Sequence, residues 1–216
     1  MNEYTLLPDL PCPLRRYHVT VTLPRQDEDE DERLYALYVL ALGLGLRRGE
    51  LPGLHWSDVN LTAGTLEVVQ ALQRAGGQLR FVPPKTEDSA RTVPLTDFCL
   101  SALKAHAERQ GDERDEAGDN WHDYGLVFPT RIGTPMEPDN LRRSWGRICM
   151  VAGLTGVRFH DIHHTCVSLL LALDVPPHVV REIVGHSDIG VTMTIYAHAS
   201  LDEKRAALRK LGDALG

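Results

Sequence analysis

The stretch Phe159-His-Asp-Ile-His-His-Thr165, continued by Val184-Gly-His-Ser187 and Thr192-Met-Thr-Ile-Tyr-Ala-His198, decides how the chain folds. From His160 onward, Ile162, Cys166, Leu169, Leu170 and Leu173 recur at helical spacing, which predicts a helix with a buried stripe. Pro176 and Pro177 break that helix and open the next, because proline is tolerated in a first turn and not in an interior. Val179, Val180, Ile183 and Val184 give the second helix its buried face, Gly185 stops it and His186 follows at once. Tyr196 comes ten residues after His186, with Val191, Met193 and Ile195 as apolar neighbours. The polar residues therefore sit at helix ends, where they can face a common cleft while the apolar faces build the core.

Working outward, the 216 residues suffice for one sizeable domain. An apolar share of 43% is ordinary for a globular chain. There is no run long enough to span a membrane, and the N-terminus has no basic-then-apolar signal pattern. Cys12, Cys99, Cys149 and Cys166 are widely spaced with no CxxC pair, as expected of buried or incidental thiols in a reducing cytoplasm. The net charge of −7 counts against nucleic acid at first sight. Asp27 to Glu32, however, is an unbroken run of six acids; without it 23 basic residues face 24 acidic ones. A near-neutral domain can still carry a basic cleft for phosphates.

Residues 1–26, with Pro8, Pro11, Pro13 and Pro24, read as an extended arm or linker remnant, in which His18–Leu23 alternate like an edge strand. Residues 27–216 read as one domain. The acidic run favours a helix start, and Leu34, Leu37, Tyr38, Leu40 and Ala41 form that helix's buried face. At the bend that follows, Arg47, Arg48 and Glu50 lie among Gly43, Gly45 and Gly49. A guanidinium steadied there by Glu50 presents forked donors suited to phosphate. Thr65–Ala71, a Gly76-Gly77 turn, Leu79–Val82 and a further strand through Ser89–Leu95 predict a small sheet. Helices are expected over Thr96–Gln110 and Glu137–Gly153, the latter with Leu141, Trp145, Ile148 and Val151 inward and Arg142, Arg143 and Arg147 outward. Gly111–Asn120 reads as a flexible acidic loop, Leu126–Phe128 as a short strand before a Thr130–Thr134 turn, and Leu201–Leu215 as an amphipathic closing helix.

Taken in order, Leu44-Gly-Leu-Arg47-Arg-Gly-Glu50-Leu, Lys85-Thr-Glu-Asp-Ser89-Ala-Arg-Thr-Val-Pro94-Leu, His160-Asp-Ile-His-His-Thr165, Gly185-His-Ser and Thr192-Met-Thr-Ile-Tyr196-Ala-His resemble the tyrosine recombinases, the phage-integrase family. The resemblance covers about residues 32–198. It implies an α+β, mainly helical catalytic domain with a small antiparallel three-stranded sheet. It further implies site-specific DNA recombination, integration or excision, through a 3′-phosphotyrosyl intermediate. Carried over residue by residue, Tyr196 is the nucleophile, Arg47 a phosphate clamp supported by Glu50, and Lys85 the acid for the leaving oxygen. His160 and His186 then serve the phosphate or the proton of Tyr196. The resemblance implies no cofactor and no metal. The implied partner is double-stranded DNA, bound as a homotetramer, with this chain a monomer in solution and cytoplasmic in a bacterial or phage-infected cell. The family's N-terminal helical DNA-clamping domain has no counterpart in residues 1–26, so an isolated catalytic domain with weak DNA affinity is expected. The amphipathic helix at Leu201–Leu215 is expected to dock in cis or on a neighbouring protomer.

Two departures stand out. Leu44 replaces the family's threonine, and His163 stands where its H-x-x-R motif has the second clamp arginine. A neutral imidazole has one N–H donor where guanidinium has five. Losing one transition-state donor costs roughly 3–4 kcal/mol, on the order of 10²–10³ in rate. Weakened cleavage is expected. A cleavage-deficient DNA-binding relative is the alternative, and a type IB topoisomerase shares the nucleophile chemistry with a different motif texture. A third reading places His160, His163 and His164 on one helix face as zinc ligands, although no HExxH or patterned carboxylate accompanies them.

Overall fold

The computed structural model describes residues 33–84, 90–188, 190, 192, 209 and 213. Lys85, Tyr196, the 1–26 arm with its expected strand, the acidic run and the closing helix lie outside the described residues, apart from positions 209 and 213. Helix α1 (Tyr35–Leu44) is apolar on nearly every side, and Ala36, Leu37, Tyr38, Val39, Leu40, Ala41 and Leu44 are all buried. A helix with no polar face belongs in the centre of a domain. Helices α2 (Asp97–Ala117) and α4 (Phe159–Ala172) accordingly pack against it. Helix α3 (Pro138–Val151) is tied to the same centre through Tyr38, whose ring lies 5.6 Å from that of Trp145 and 6.1 Å from that of Phe159. The Tyr38 hydroxyl donates to Ser144 Oγ at 2.9 Å, which satisfies the polar end of an otherwise buried ring.

The sheet is small and antiparallel. Strands β1 (Val59–Asn60), β2 (Thr65–Val68) and β5 (Arg91–Pro94) form a three-stranded sheet in the order β1-β2-β5. The segment expected to run as one strand from Thr65 to Ala71 divides after Val68, and its continuation β3 (Ala71–Ala75) pairs instead with β4 (Gln78–Val82) across the Gly76-Gly77 turn. This separate hairpin is held by the Leu72 amide donating to the Gly49 carbonyl at 2.8 Å and by an ion pair between Arg74 and Glu137.

Other expectations need correcting. Gly111–Asn120 is not a loop: α2 runs on to Ala117, and a 3-10 turn follows over Gly118–Asn120. One glycine in a helix interior costs only about 1 kcal/mol. The extension is held by the Arg33–Glu113 ion pair and by Gln110, whose Nε2 donates to the Leu126 and Val127 carbonyls at 3.1 Å. Leu126–Phe128 is buried but joins no sheet, making a single bridge from Leu126 to His55. Val151 ends α3 and is 73% exposed, so the inward face closes at Ile148 and Cys149. Leu173 lies past the end of α4 and is exposed as well. The proline break behaves as expected: α5 (Pro177–Val184) starts with proline in its first turn and buries Val180 and Val184 against Val167 and Leu171 of α4. Cys99, Cys149 and Cys166 are buried free thiols. Among the described residues no helix is long and apolar enough to cross a membrane.

Helix α1 ends at Gly45 in the left-handed conformation, φ 63°. A Cβ there would lie 2.8 Å from Val184 Cγ1 and 3.2 Å from Cys166 Sγ, where α1, α4 and α5 meet. Gly45→Ala should therefore cost about 1–3 kcal/mol from backbone strain alone, read as a lowered urea midpoint. An unchanged midpoint would contradict this packing.

Candidate active site

The site is built around one buried carboxylate. Glu50 sits in the turn after α1, where its backbone N–H donates to the Arg47 carbonyl at 2.9 Å. Its Oε2 accepts from the Arg47 backbone N–H at 2.9 Å, and its Oε1 accepts from Arg47 Nη1 at 3.0 Å. From β5, Arg91 reaches the same carboxylate with both terminal nitrogens, Nη1 to Oε1 at 3.2 Å and Nη2 to Oε2 at 2.9 Å. Burial alone would raise the Glu50 carboxyl, but the hydrogen bonds and charge of Arg91, joined by Arg47, outweigh it and hold the group below the usual carboxylate range.

Both arginines then turn to the end of α5. Arg91 Nε donates to the Ile183 carbonyl at 2.7 Å, and Arg47 Nη2 donates to the Gly185 carbonyl. The last carbonyls of a helix lack intrahelical partners and carry partial negative charge, so two guanidinium groups are apt caps. Gly185 has φ 69°, and a Cβ on it would lie 2.6 Å from Arg91 Nη1, so glycine both ends the helix and admits the arginine. The two cations differ in access: the Arg91 side chain is 6% exposed and the Arg47 side chain 32%. Arg47 can therefore meet a ligand, whereas Arg91 is confined to holding the frame.

His186 follows Gly185 and is buried. Its Nε2 lies 2.8 Å from His163 Nε2, and its Nδ1 lies 2.9 Å from Thr192 Oγ1. His163, on α4, places its Nδ1 2.6 Å from the Gly45 carbonyl at the end of α1. A carbonyl only accepts, so His163 Nδ1 carries hydrogen and its Nε2 is the acceptor in the neutral ring. His186 must then donate from Nε2 and accept the Thr192 hydroxyl at Nδ1. Burial, despite the Gly45 bond, brings His163 down to about 4; burial and then the charge of Arg47 bring His186 to about 4. His160 stands one turn earlier on α4, exposed, with its ring stacked 5.5 Å from that of His163; burial and then His164 lower it. Asp161 caps the start of α4 by accepting from the Arg158 backbone N–H at 2.8 Å.

Arg47 is thus bonded to Glu50 and to the carbonyl of Gly185, the residue before His186, and His186 is bonded to His163 with His160 beside it, while Lys85 and Tyr196 lie outside the described residues. The sequence reading missed Arg91 and Thr192. Arg91 is the arginine of the quoted Ser89-Ala-Arg-Thr-Val-Pro segment, and Thr192 opens the quoted segment that leads to Tyr196; neither was weighed as part of a site. The three-histidine metal reading is not supported: both nitrogens of His163 are engaged, and among the described residues no group of three or more His, Cys, Asp or Glu could hold a metal ion.

Removing one member of a buried ion pair leaves the other charge unpaired, a cost of about 3–5 kcal/mol. Arg91→Ala should lower unfolding free energy by that amount in urea titration, and a loss below about 1 kcal/mol would show that Glu50 does not depend on it. Stability should also fall in acid. Burial first of all holds His106, His163 and His186 down to about 4. A histidine kept neutral by folding contributes fully above its ordinary value of 6.5, and that contribution is lost as pH falls through about 4. Glu50 adds a loss in the same direction below its ordinary value of 4.5. The urea midpoint should decline between about pH 7 and pH 5, before carboxylates titrate, and a flat profile there would contradict the buried neutral histidines.

Comparison with known proteins follows the same lines. Residues 20–203 match the family described as the phage integrase family. The chain is similar to a tyrosine recombinase XerC-like protein of Caldanaerobacter subterraneus subsp. tengcongensis, with 36% identity over 193 residues covering 84% of this chain and 49% of the relative. It is similar to an integrase of Saccharopolyspora erythraea, with 30% identity over 204 residues covering 70% of this chain and 47% of the relative. The chain spans about half the length of the curated relatives it matches. The Tn1549 transposon integrase, solved in complex with transposon right end DNA, shares the fold with a TM-score of 0.75 at 24% identity, over 87% of this chain and 61% of that one. The family match takes in the first arginine turn, the sheet, the histidine helix and the end of α5 alike, and the chain belongs to the phage integrase family.

Proposed function

We propose that this chain carries the catalytic domain of a site-specific tyrosine recombinase that cuts and rejoins double-stranded DNA. The observation that carries the reading is that Arg47, held by Glu50, bonds to the carbonyl of Gly185, the residue next to His186, on a chain that belongs to the phage integrase family. Arg47 is half-exposed and oriented by Glu50, which suits a guanidinium that must meet a phosphodiester. In the proposed reaction the Tyr196 oxygen bonds to phosphorus, the bond to the 5′-oxygen breaks, and Lys85 protonates the departing oxygen. The Tyr196 proton passes to a histidine of the site. A new 5′-hydroxyl then reverses the step, releasing Tyr196 and joining the strands. The partner is duplex DNA, on which four copies assemble, and residues 27–216 act as the catalytic unit.

Cleavage is weak in this chain at neutral pH. His163 is neutral, and its two nitrogens serve the Gly45 carbonyl and His186. It brings no positive charge to the phosphate, where a guanidinium could bond Gly45 and still have donors left. The same observation favours the second reading, a DNA-binding relative that does not cleave. A nicked suicide duplex separates them. Slow formation of a covalent protein–DNA adduct is expected, abolished by Tyr196→Phe and accelerated on the order of 10²-fold by His163→Arg. No adduct from either the parent chain or His163→Arg would favour the non-cleaving relative, and an adduct that persists in Tyr196→Phe would remove Tyr196 as nucleophile.

A further inference from the structure

The imidazoles of His160, His163, His164 and His186 lie together. The His163 centroid is 5.5 Å from His160, 5.8 Å from His164 and 5.0 Å from His186. Within this cluster a directed chain of hydrogen bonds runs from Thr192 Oγ1 to His186 Nδ1, from His186 Nε2 to His163 Nε2, and from His163 Nδ1 to the Gly45 carbonyl. The carbonyl fixes the direction, since it is the one partner that cannot donate. We infer that His163 and His186 together hold a single proton beside Arg47, and that the Thr192 hydroxyl is the positioning group that lets them take it up. The inference rests on the reading that Arg47 faces the scissile phosphate.

The step balances as a simple uptake from water. The proton adds to His186 Nδ1, and the Thr192 hydroxyl rotates from donor to acceptor. The bond from His186 Nε2 to His163 Nε2 persists and becomes charge-assisted. A second proton has no place: on His163 Nε2 it would set two N–H groups head to head across 2.8 Å. Among the described residues, the charged and titratable groups that face the pair are Arg47 from the turn after α1, Arg91 from β5, and His160 and His164 from α4. All of them oppose added positive charge, and the Glu50 carboxylate is divided between the two arginines. A phosphodiester anion beside Arg47 supplies the missing counter-charge and favours the charged pair. Bound DNA would then meet one imidazolium, that of His186, hydrogen-bonded to the neutral His163 that stands where the family's motif has its second guanidinium.

The test is ¹⁵N NMR of the histidine side chains on the full chain, followed by covalent trapping with a nicked duplex across pH. At neutral pH His163 should carry hydrogen on Nδ1 and His186 on Nε2. On acidification one proton should enter at His186 while His163 stays neutral. Thr192→Val should lower the proton affinity of the pair by about tenfold or more, one pKa unit, and Thr192→Ser should restore it. The rate of adduct formation should rise as pH falls from about 8 to about 6, and His163→Arg should abolish that rise. A His163 ring protonated on Nε2, two rings titrating independently, or Thr192→Val behaving like Thr192→Ser would each overturn the inference. So would an adduct whose rate does not change with pH. A failure of all adduct formation would instead overturn the cleavage reading, and the tautomers would still decide the pair.

Discussion

The Glu50 carboxylate is the constraint on which the site depends. It is buried, and it is shared by two arginines that arrive from different elements, one local and one from the third strand of the sheet. Isolating a charge from water is expensive unless its partners come with it. The turn after α1, strand β5 and the end of α5 are therefore assembled together or not at all. Arg47 gives one terminal nitrogen to Glu50 and the other to the Gly185 carbonyl, while Arg91 gives both terminal nitrogens to Glu50 and its Nε to the Ile183 carbonyl. The helix end that delivers His186 is thus positioned by the same ions that present Arg47.

Helix ends recur throughout this arrangement. The carbonyl of Gly45 at the end of α1 orients His163, and the carbonyls of Ile183 and Gly185 at the end of α5 take the arginines. Backbone groups that helices leave unsatisfied become the fixed points on which the side chains of the site are hung. The apolar sides of the same helices make the core, with α1 buried nearly all round and α5 seated on α4 through Val180 and Val184. Core and site are two faces of the same few elements, which is why residues as far apart as Arg47 and Gly185 meet.

Much of this was legible in the sequence because it is local. The proline pair before α5, Gly185 after it and the Gly76-Gly77 turn each have a conformational reason that does not depend on neighbours. Arg47 and Glu50 are three residues apart and could be paired on paper. What was not legible is long-range. Nothing within β5 reveals that Arg91 serves a carboxylate 41 positions earlier, or that Thr192 meets His186. The helical extension past Gly111 depends on Glu113 finding Arg33, 80 residues away, and the split of Thr65–Ala71 on Leu72 finding Gly49. The missing guanidinium at position 163 was visible as a substitution, but its consequence, a histidine pair joined through Nε2, arises only where the fold brings α4 against the end of α5.

The central claim is that one carboxylate holds the end of α5 in place through two arginines. Hydrogen exchange of Glu50→Gln against the parent chain tests it most directly, with the amides of α2 as internal reference. The account predicts that the Gly185 and His186 amides, which bond to the Arg181 carbonyl, lose protection while α2 keeps its own. Equal protection of those two amides in both proteins would contradict it.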